Sequence, residues 1–298
     1  MPPESGPHQT WHEGMKDMSV FNRSGLAALS DLETPEWREI FTLFEREQAA
    51  FLSKESAFRS PGYKWPRDPL HHWSRVWEYP YVYHHLRNWR EALAPGTLPH
   101  VVDLGSGVTF FPFAVAKLGY RVTCLDIDPI CQKDLPRAAQ QTPAAPGSVE
   151  FRLVTGQRLP LADGEADALY CISVLEHADS PESMVEEVWR VLTPGGIFIV
   201  TFDLDLRGDR AISPEGYLRL TEVFDKHFGP LHPQITVHPA NLLTPYDSPY
   251  PSKVPSGLAC LWFLAKQRLV KPLLGRKPYL LFRSELVVAG FALQKPGR

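Results

Sequence analysis

The sequence predicts an α/β fold, a doubly wound and mostly parallel sheet preceded by a helical segment, and three observations predict it. Apolar runs of strand length alternate with helix-length segments from residue 100 to residue 202, the pattern of a parallel sheet with helices on both faces. The first run, Val101-Val102-Asp103-Leu104, opens directly into Gly105-Ser106-Gly107, where glycine allows a sharp turn and lets a ligand touch the main chain. The next run, Arg121-Val122-Thr123-Cys124-Leu125, ends on Asp126, 21 positions beyond Gly105. In a doubly wound sheet those two strand ends are neighbours, and an acid at the second is placed to hold both hydroxyls of a ribose.

Taken in order, residues 1–33 are polar and turn-rich and read as a mobile or loosely docked arm. Pro35 marks a helix start, and Trp37, Ile40, Phe41, Phe44, Phe51 and Leu52 recur at helical spacing, which predicts one amphipathic helix over 36–58. Residues 61–90 are the most aromatic part of the chain: Tyr63, Trp65, Trp73, Trp77, Tyr79, Tyr81, Tyr83 and Trp89, interleaved with His71-His72 and His84-His85. The core follows as strands over 100–104, 121–126, 149–154, 167–173 and 196–202, with helices over 109–118, 129–140 and 181–192. Leu192-Thr193-Pro194-Gly195-Gly196 reads as a turn that meets no ligand. A helix over 214–228 and strand candidates at 234–238 and 284–294 complete the fold. Between those strands lies an insertion at about 239–280. Its run Leu258 to Ala265 reads as a buried helix with a solvated end rather than as a basic amphipathic surface, although Lys266, Arg268, Lys271, Arg276 and Lys277 follow it.

Composition excludes several classes. A length of 298 residues with 44% hydrophobic content suffices for a real core, and a net charge of -3 leaves no basic footprint for a nucleic-acid partner. The four cysteines form no Cys-x-x-Cys pair and read as reduced core residues. No apolar run reaches the roughly 18 residues needed to span a bilayer, and the first thirty residues lack an apolar leader core, so a cytoplasmic protein without stable membrane insertion is expected.

The glycine loop distinguishes two nucleotide chemistries. A nicotinamide fingerprint wants a third glycine where Phe110 stands, and Asp103 is unfavourable beside a pyrophosphate but suits a ligand whose near end is a positive amino group. With the ordered pieces Leu159-Pro160-Leu161, Asp167-Ala168-Leu169-Tyr170, Ser173-Val174-Leu175-Glu176-His177 and Arg190 to Gly196, residues 98–204 resemble the class I methyltransferases that use S-adenosyl-L-methionine (SAM), in their small-molecule, type 11-like branch. The resemblance implies a seven-stranded sheet whose last two strands form an antiparallel pair. It also implies an aromatic N-terminal cap over 1–95, set on a SAM-binding domain over 96–298. The aromatics of that cap equally suit simple packing onto the sheet.

The same resemblance implies the site. Gly105, Ser106 and Gly107 would meet the methionine part of SAM, Asp103 its amino group, Asp126 the ribose, and Ile127 the adenine. Relatives carry an Asp after the third strand for the adenine amino group; here Thr155 or Gln157 stands in for it, and Ser173 is counted with the cofactor residues. Relatives that bind a divalent metal show Glu-x-x-Glu-His, and since Ser173 replaces the first acid no metal is expected. For catalysis His177 is placed as a general base, and equally suits orienting the loop or bordering the pocket, with Asp203 and Tyr81 as further candidates and His84, Asp205 and His238 behind them. The expected activity is methyl transfer to an oxygen, less readily a nitrogen, of a partly apolar small-molecule acceptor. A nicotinamide-dependent oxidoreductase and a SAM-binding pseudoenzyme stand as alternatives. The insertion is left to close the pocket, form a homodimer or touch a membrane surface.

Overall fold

The computed structural model describes residues 19–207, 211–252, 261–262, 265–270, 273 and 285–297. Among them nine strands form one sheet: β1 (Ser24–Leu26), β2 (His100–Leu104), β3 (Arg121–Asp126), β4 (Ser148–Leu153), β5 (Ala166–Ile172), β6 (Leu192–Asp205), β7 (Gly229–Pro230), β8 (Gln234–Ile235) and β9 (Leu286–Gln294). Their order is β4-β3-β2-β5-β6-β9-β1-β8, with β7 beside β9. The run from β4 to β6 is parallel, so all these strands end on one edge.

Alternation along the strands divides the core in two. Val101, Cys124, Ala168, Tyr170, Ile197 and Val288 face a layer made by helices α1 (Pro35–Leu52), α2 (Glu55–Phe58), α3 (Arg75–Ala92), α4 (Phe111–Ala116) and α5 (Pro129–Gln141). Val102, Leu104, Leu125, Leu169, Phe198, Val200 and Phe291 face the other layer, helices α6 (Pro181–Val191) and α7 (Pro214–His227). Four of these helices begin alike: the side chains of Thr34, Asp128, Ser180 and Ser213 each accept a backbone N–H of the first turn, and a proline follows each of them. The cap satisfies an orphan donor, while proline occupies a position whose N–H has no partner in the helix.

The structure departs from the sequence reading at four places. The helix expected over 36–58 ends at Leu52 and restarts as α2, which lets Phe51 and Phe58 pack with ring centroids 4.8 Å apart. Leu192 to Gly196 is not a free turn but the start of β6: Leu192 pairs with Ala166, and a register shift with Gly195 at φ +81° absorbs the extra residues. Of the strand expected at 234–238 only Gln234–Ile235 pairs, and it runs parallel to β1 instead of antiparallel to β9. Residues 19–33 are no loose arm, because β1 takes the place beside β9, Phe21 and Ala27 are buried, and Asp31 accepts from Ala28 N at 3.1 Å and Trp77 Nε1 at 2.7 Å while pairing with Arg23. The helix expected inside 258–265 lies largely outside the described residues; of its members Leu261 and Trp262 are exposed.

Helix α3 is where the aromatic segment goes. Trp77 and Tyr81 stack at 4.5 Å, both buried, and press on β9 at Gly290. A Cβ at Gly290 would lie 2.7 Å from Trp77 Cη2 and 3.1 Å from Tyr81 Cε1. The N-terminal segment therefore supplies both a strand and a packed layer to the same sheet, a closer union than a cap resting on a finished domain.

Two outcomes follow for stability. Gly290→Ala overpacks this contact and lowers the unfolding free energy by about 1–3 kcal/mol, read from urea denaturation. His85 is buried against Tyr81 and His232 with Nε2 unpartnered, and burial, then His84 and His232, hold its pKa well below the usual value. The folded chain thus refuses a proton that the unfolded chain accepts below about pH 6.5, so stability falls with acidification by up to about 1.4 kcal/mol per pH unit for this group. In His85→Phe the pH dependence of the urea midpoint between about pH 7 and pH 5 shrinks by one proton; an unchanged slope would assign it elsewhere.

Candidate active site

The glycine loop is held against β3 by main-chain bonds. Gly105 N and Ser106 N both donate to Leu125 O, at 2.8 and 3.1 Å, and Gly107 N donates to Asp126 Oδ2 at 2.8 Å. Asp128 N donates to Asp126 Oδ1 at 2.8 Å. Each carboxylate oxygen of Asp126 thus accepts one backbone N–H and keeps one acceptor site, a matched pair for a vicinal diol. Gly105 has φ +78°, and a Cβ there would fall 2.3 Å from Val174 Cγ2. The loop can run this close to the end of β5 only with glycine.

Asp103 and Tyr170 are cross-strand neighbours in register, both buried. Burial pushes the Asp103 carboxyl up to about 8, with the charge of Asp126 adding and Tyr170 opposing. The Tyr170 hydroxyl is likewise shut from solvent beside that carboxyl. An ammonium group arriving here would satisfy a buried acid that now lacks a counterion. Ile127, next after Asp126, is 76% exposed, and Val154 N donates to Asp126 O at 2.9 Å. Thr155 and Gln157 therefore leave the sheet beside Asp126, and both are exposed.

The segment before α3 covers the loop. Tyr63 accepts a bond from Val108 N at 2.9 Å, and the Arg59 guanidinium lies 4.4 Å over the Tyr63 ring while donating to Val108 O at 3.3 Å. Burial keeps the Tyr63 phenol protonated, up at about 12.

A second group of side chains lies where β5 and β6 end. Glu78 of α3, fully buried, accepts from Ser173 Oγ and Thr201 Oγ1, each at 2.7 Å, and pairs with Arg75. Burial alone would raise its carboxyl, but Arg75 and the two hydroxyls outweigh that and hold it below the usual range. Arg75 Nη1 also donates to Ser173 Oγ at 2.6 Å and Ser74 Oγ at 3.2 Å. Ser173 holds φ +48°, a left-handed conformation that is costly for a residue with a Cβ and that clusters at functional sites. Beyond it, Glu176 Oε1 accepts Asp203 N at 3.3 Å, whereas Glu176 Oε2 and Asp203 Oδ1 are shut from solvent with no partner. Burial and the neighbouring acids push both carboxyls well above their usual range. His177 follows on the exposed side, its pKa lowered by the surrounding protein and then by Arg75, so that its imidazole is neutral at neutral pH.

The parallel strand ends thus gather Asp103, Gly105, Ser106, Gly107, Asp126, Ile127, Thr155, Gln157, Ser173, His177 and Asp203 along one edge. Tyr81 is not among them: its hydroxyl donates to Arg23 O at 2.8 Å and its ring is core. His84 contacts Glu36 Oε1 and Asn22 Oδ1, and His238 accepts from Ala240 N, so neither reaches the edge by a described contact. Sequence reasoning missed Arg59, Arg75, Glu78 and Glu176 as site residues. The visible signal was Arg75-x-x-Glu78, a charged pair in an otherwise aromatic helix. Among the described residues no group of three or more His, Cys, Asp or Glu side chains is arranged to hold a metal ion, and no helix is long and apolar enough to cross a membrane.

Comparison with known proteins agrees with this geometry. A family model described as "Methyltransferase domain" matches residues 102–200. An uncharacterized methyltransferase of Mycobacterium sp. (strain JLS) is 31% identical over 102 residues, 34% of this chain and 38% of its own. A ubiquinone biosynthesis O-methyltransferase of Thiobacillus denitrificans is 31% identical over 117 residues, 39% of this chain and 49% of its own. A thiol S-methyltransferase of Homo sapiens is 36% identical over 98 residues, 33% of this chain and 39% of its own. The chain spans less than half the length of these curated relatives. The glycine loop, the Asp126 carboxylate with one acceptor site left on each oxygen and the buried Asp103 fit SAM, and the match lies on the strands that carry them. Residues 102–200, the strands that carry the glycine loop and Asp126, thus match a methyltransferase domain.

Proposed function

We propose that the chain transfers the methyl group of SAM to an oxygen, in preference to a nitrogen, of a small-molecule acceptor. One observation carries the reading: the Asp126 carboxylate, fixed by Gly107 N and Asp128 N, stands at the glycine loop with one acceptor site left on each oxygen. SAM supplies, when bound, a methyl on a positively charged sulfur that needs no further activation. The work of the protein is then to hold and align, an effect worth up to about 7–11 kcal/mol.

Asp126 takes the ribose hydroxyls, Asp103 stands by the amino group, and the glycine loop admits the methionine chain. Tyr63 and Arg59 keep the loop in place from above. The strand ends at Ser173 and Asp203 form the acceptor side. His177, exposed and neutral, accepts the proton of an acceptor hydroxyl at a ring nitrogen. The neutral imidazole favours oxygen as the acceptor atom, since a hydroxyl must lose its proton on methylation.

Calorimetric titration with SAM and with its demethylated product tests the cofactor site. Wild type binds both, and Asp126→Ala weakens each at least about tenfold, the loss of a charge-assisted bond being worth about 1.5–3 kcal/mol. No binding by folded wild type, together with binding of a reduced nicotinamide, would overturn the reading. His177→Ala lowers kcat on an oxygen acceptor by about 10²–10⁴ while leaving SAM affinity unchanged; equal loss of both would remove it from proton transfer.

A further inference from the structure

The acids at the ends of β5 and β6 are the polar groups this mechanism leaves unused. Glu176 Oε2 and Asp203 Oδ1 are buried and unpartnered, whereas Glu78 holds Arg75, Ser173 and Thr201, and Asp126 holds two backbone N–H groups. Leaving two acids short of donors costs stability, so a structural role is a poor account of them. Arg75 lies close enough to lower both carboxyls in part, but its Nη1 is committed to Glu78, Ser173 and Ser74, and neither orphaned oxygen receives a hydrogen bond from it. A divalent cation would need further donors, and the described residues offer no third ligand. The group that answers both oxygens is an organic cation with several N–H donors.

We propose, resting on the methyltransferase reading above, that Glu176 and Asp203 bind a protonated amino group of the acceptor, which makes the acceptor a hydroxylated amine. An ammonium has no lone pair, so the nitrogen held there is not the nucleophile. It anchors the molecule while a hydroxyl elsewhere on it attacks the methyl carbon; the C–S bond breaks, the new O–C bond forms and the hydroxyl proton goes to His177. Ser173, locked at φ +48° between Arg75 and Glu78, fixes the strand end from which Glu176 follows. Val174 beside Gly105 links that end to the cofactor loop. The acid pair and the glycine loop are thus held on one frame.

The test uses the full-length protein with methyl-labelled SAM and matched probes: tyramine against 4-ethylphenol, 2-aminocyclohexanol against cyclohexanol, and glucosamine against glucose. Methyl transfer confined to the amine member of a pair is expected, by at least about tenfold. In Glu176→Gln and Asp203→Asn, KM for that amine rises at least about tenfold, while affinity for the demethylated cofactor product stays at the wild-type value. Equal use of neutral members, amine use unaffected in both variants, or no amine used by a protein that binds the cofactor product would each overturn the proposal. Failure of the cofactor titration would instead overturn the reading beneath it. A ligand-free measurement adds a second arm: with the buried repulsion removed, each amide variant melts a few degrees higher than wild type. A lower melting temperature in both variants would make the acids structural and overturn the proposal.

Discussion

A carboxylate with no access to water must be surrounded by donors, and the way Glu78 meets that requirement fixes how the N-terminal helix sits on the strand ends. Its oxygens gather Arg75 from the same helix, Ser173 from the end of β5 and Thr201 from β6. Three elements far apart in sequence therefore converge on one buried charge. Breaking such a pair by removing one partner costs about 3–5 kcal/mol, because the other charge stays buried and alone. Ser173 cannot relax from its left-handed backbone without releasing two of these contacts. The point where the chain leaves β5 is accordingly held rigid, tied to α3 and β6.

Burial treats the acids along this edge in opposite ways. Glu78 has cationic and hydroxyl donors and stays ionised; Asp103 has only a phenol near it and is pushed up to about 8. Asp126 is tied to two backbone N–H groups. The difference lies in which donors the fold provides rather than in the residue type. Where the fold provides too few, as at Asp103, Glu176 and Asp203, a ligand has something to supply.

Much of the parallel core was readable because β2, β3, β5 and β6 are buried on both faces and have to be apolar throughout. Asp126 and the glycines were readable for the same reason, being polar or small residues at the tips of such strands. The far side of the sheet was not. Ser24-Gly25-Leu26 has no strand pattern of its own, and it is a strand only because β9 and β8 offer it partners. The aromatic segment was visible by its composition and was assigned to the cap, but the packing of its Trp77 and Tyr81 on Gly290, more than 200 residues away, is something no periodicity shows. Glu176 was read as part of a motif, whereas its isolation depends on where Asp203 N and Arg75 lie in space.

The placement of β1 has a kinetic consequence. Gly25 pairs with Gly290, so one of the earliest described segments to be synthesised finds its partner among the last. Closing a loop of that length must precede any reward from the contact. During translation Ala27, fully buried at the end and bonded through its N–H to Val288 O, has no β9 to rest on. The Trp77 and Tyr81 face of α3 likewise waits for Gly290. The sheet is completed from its C-terminal strand, which makes the emergence of residues 286–294 the step at which a sticky nascent chain becomes a closed one.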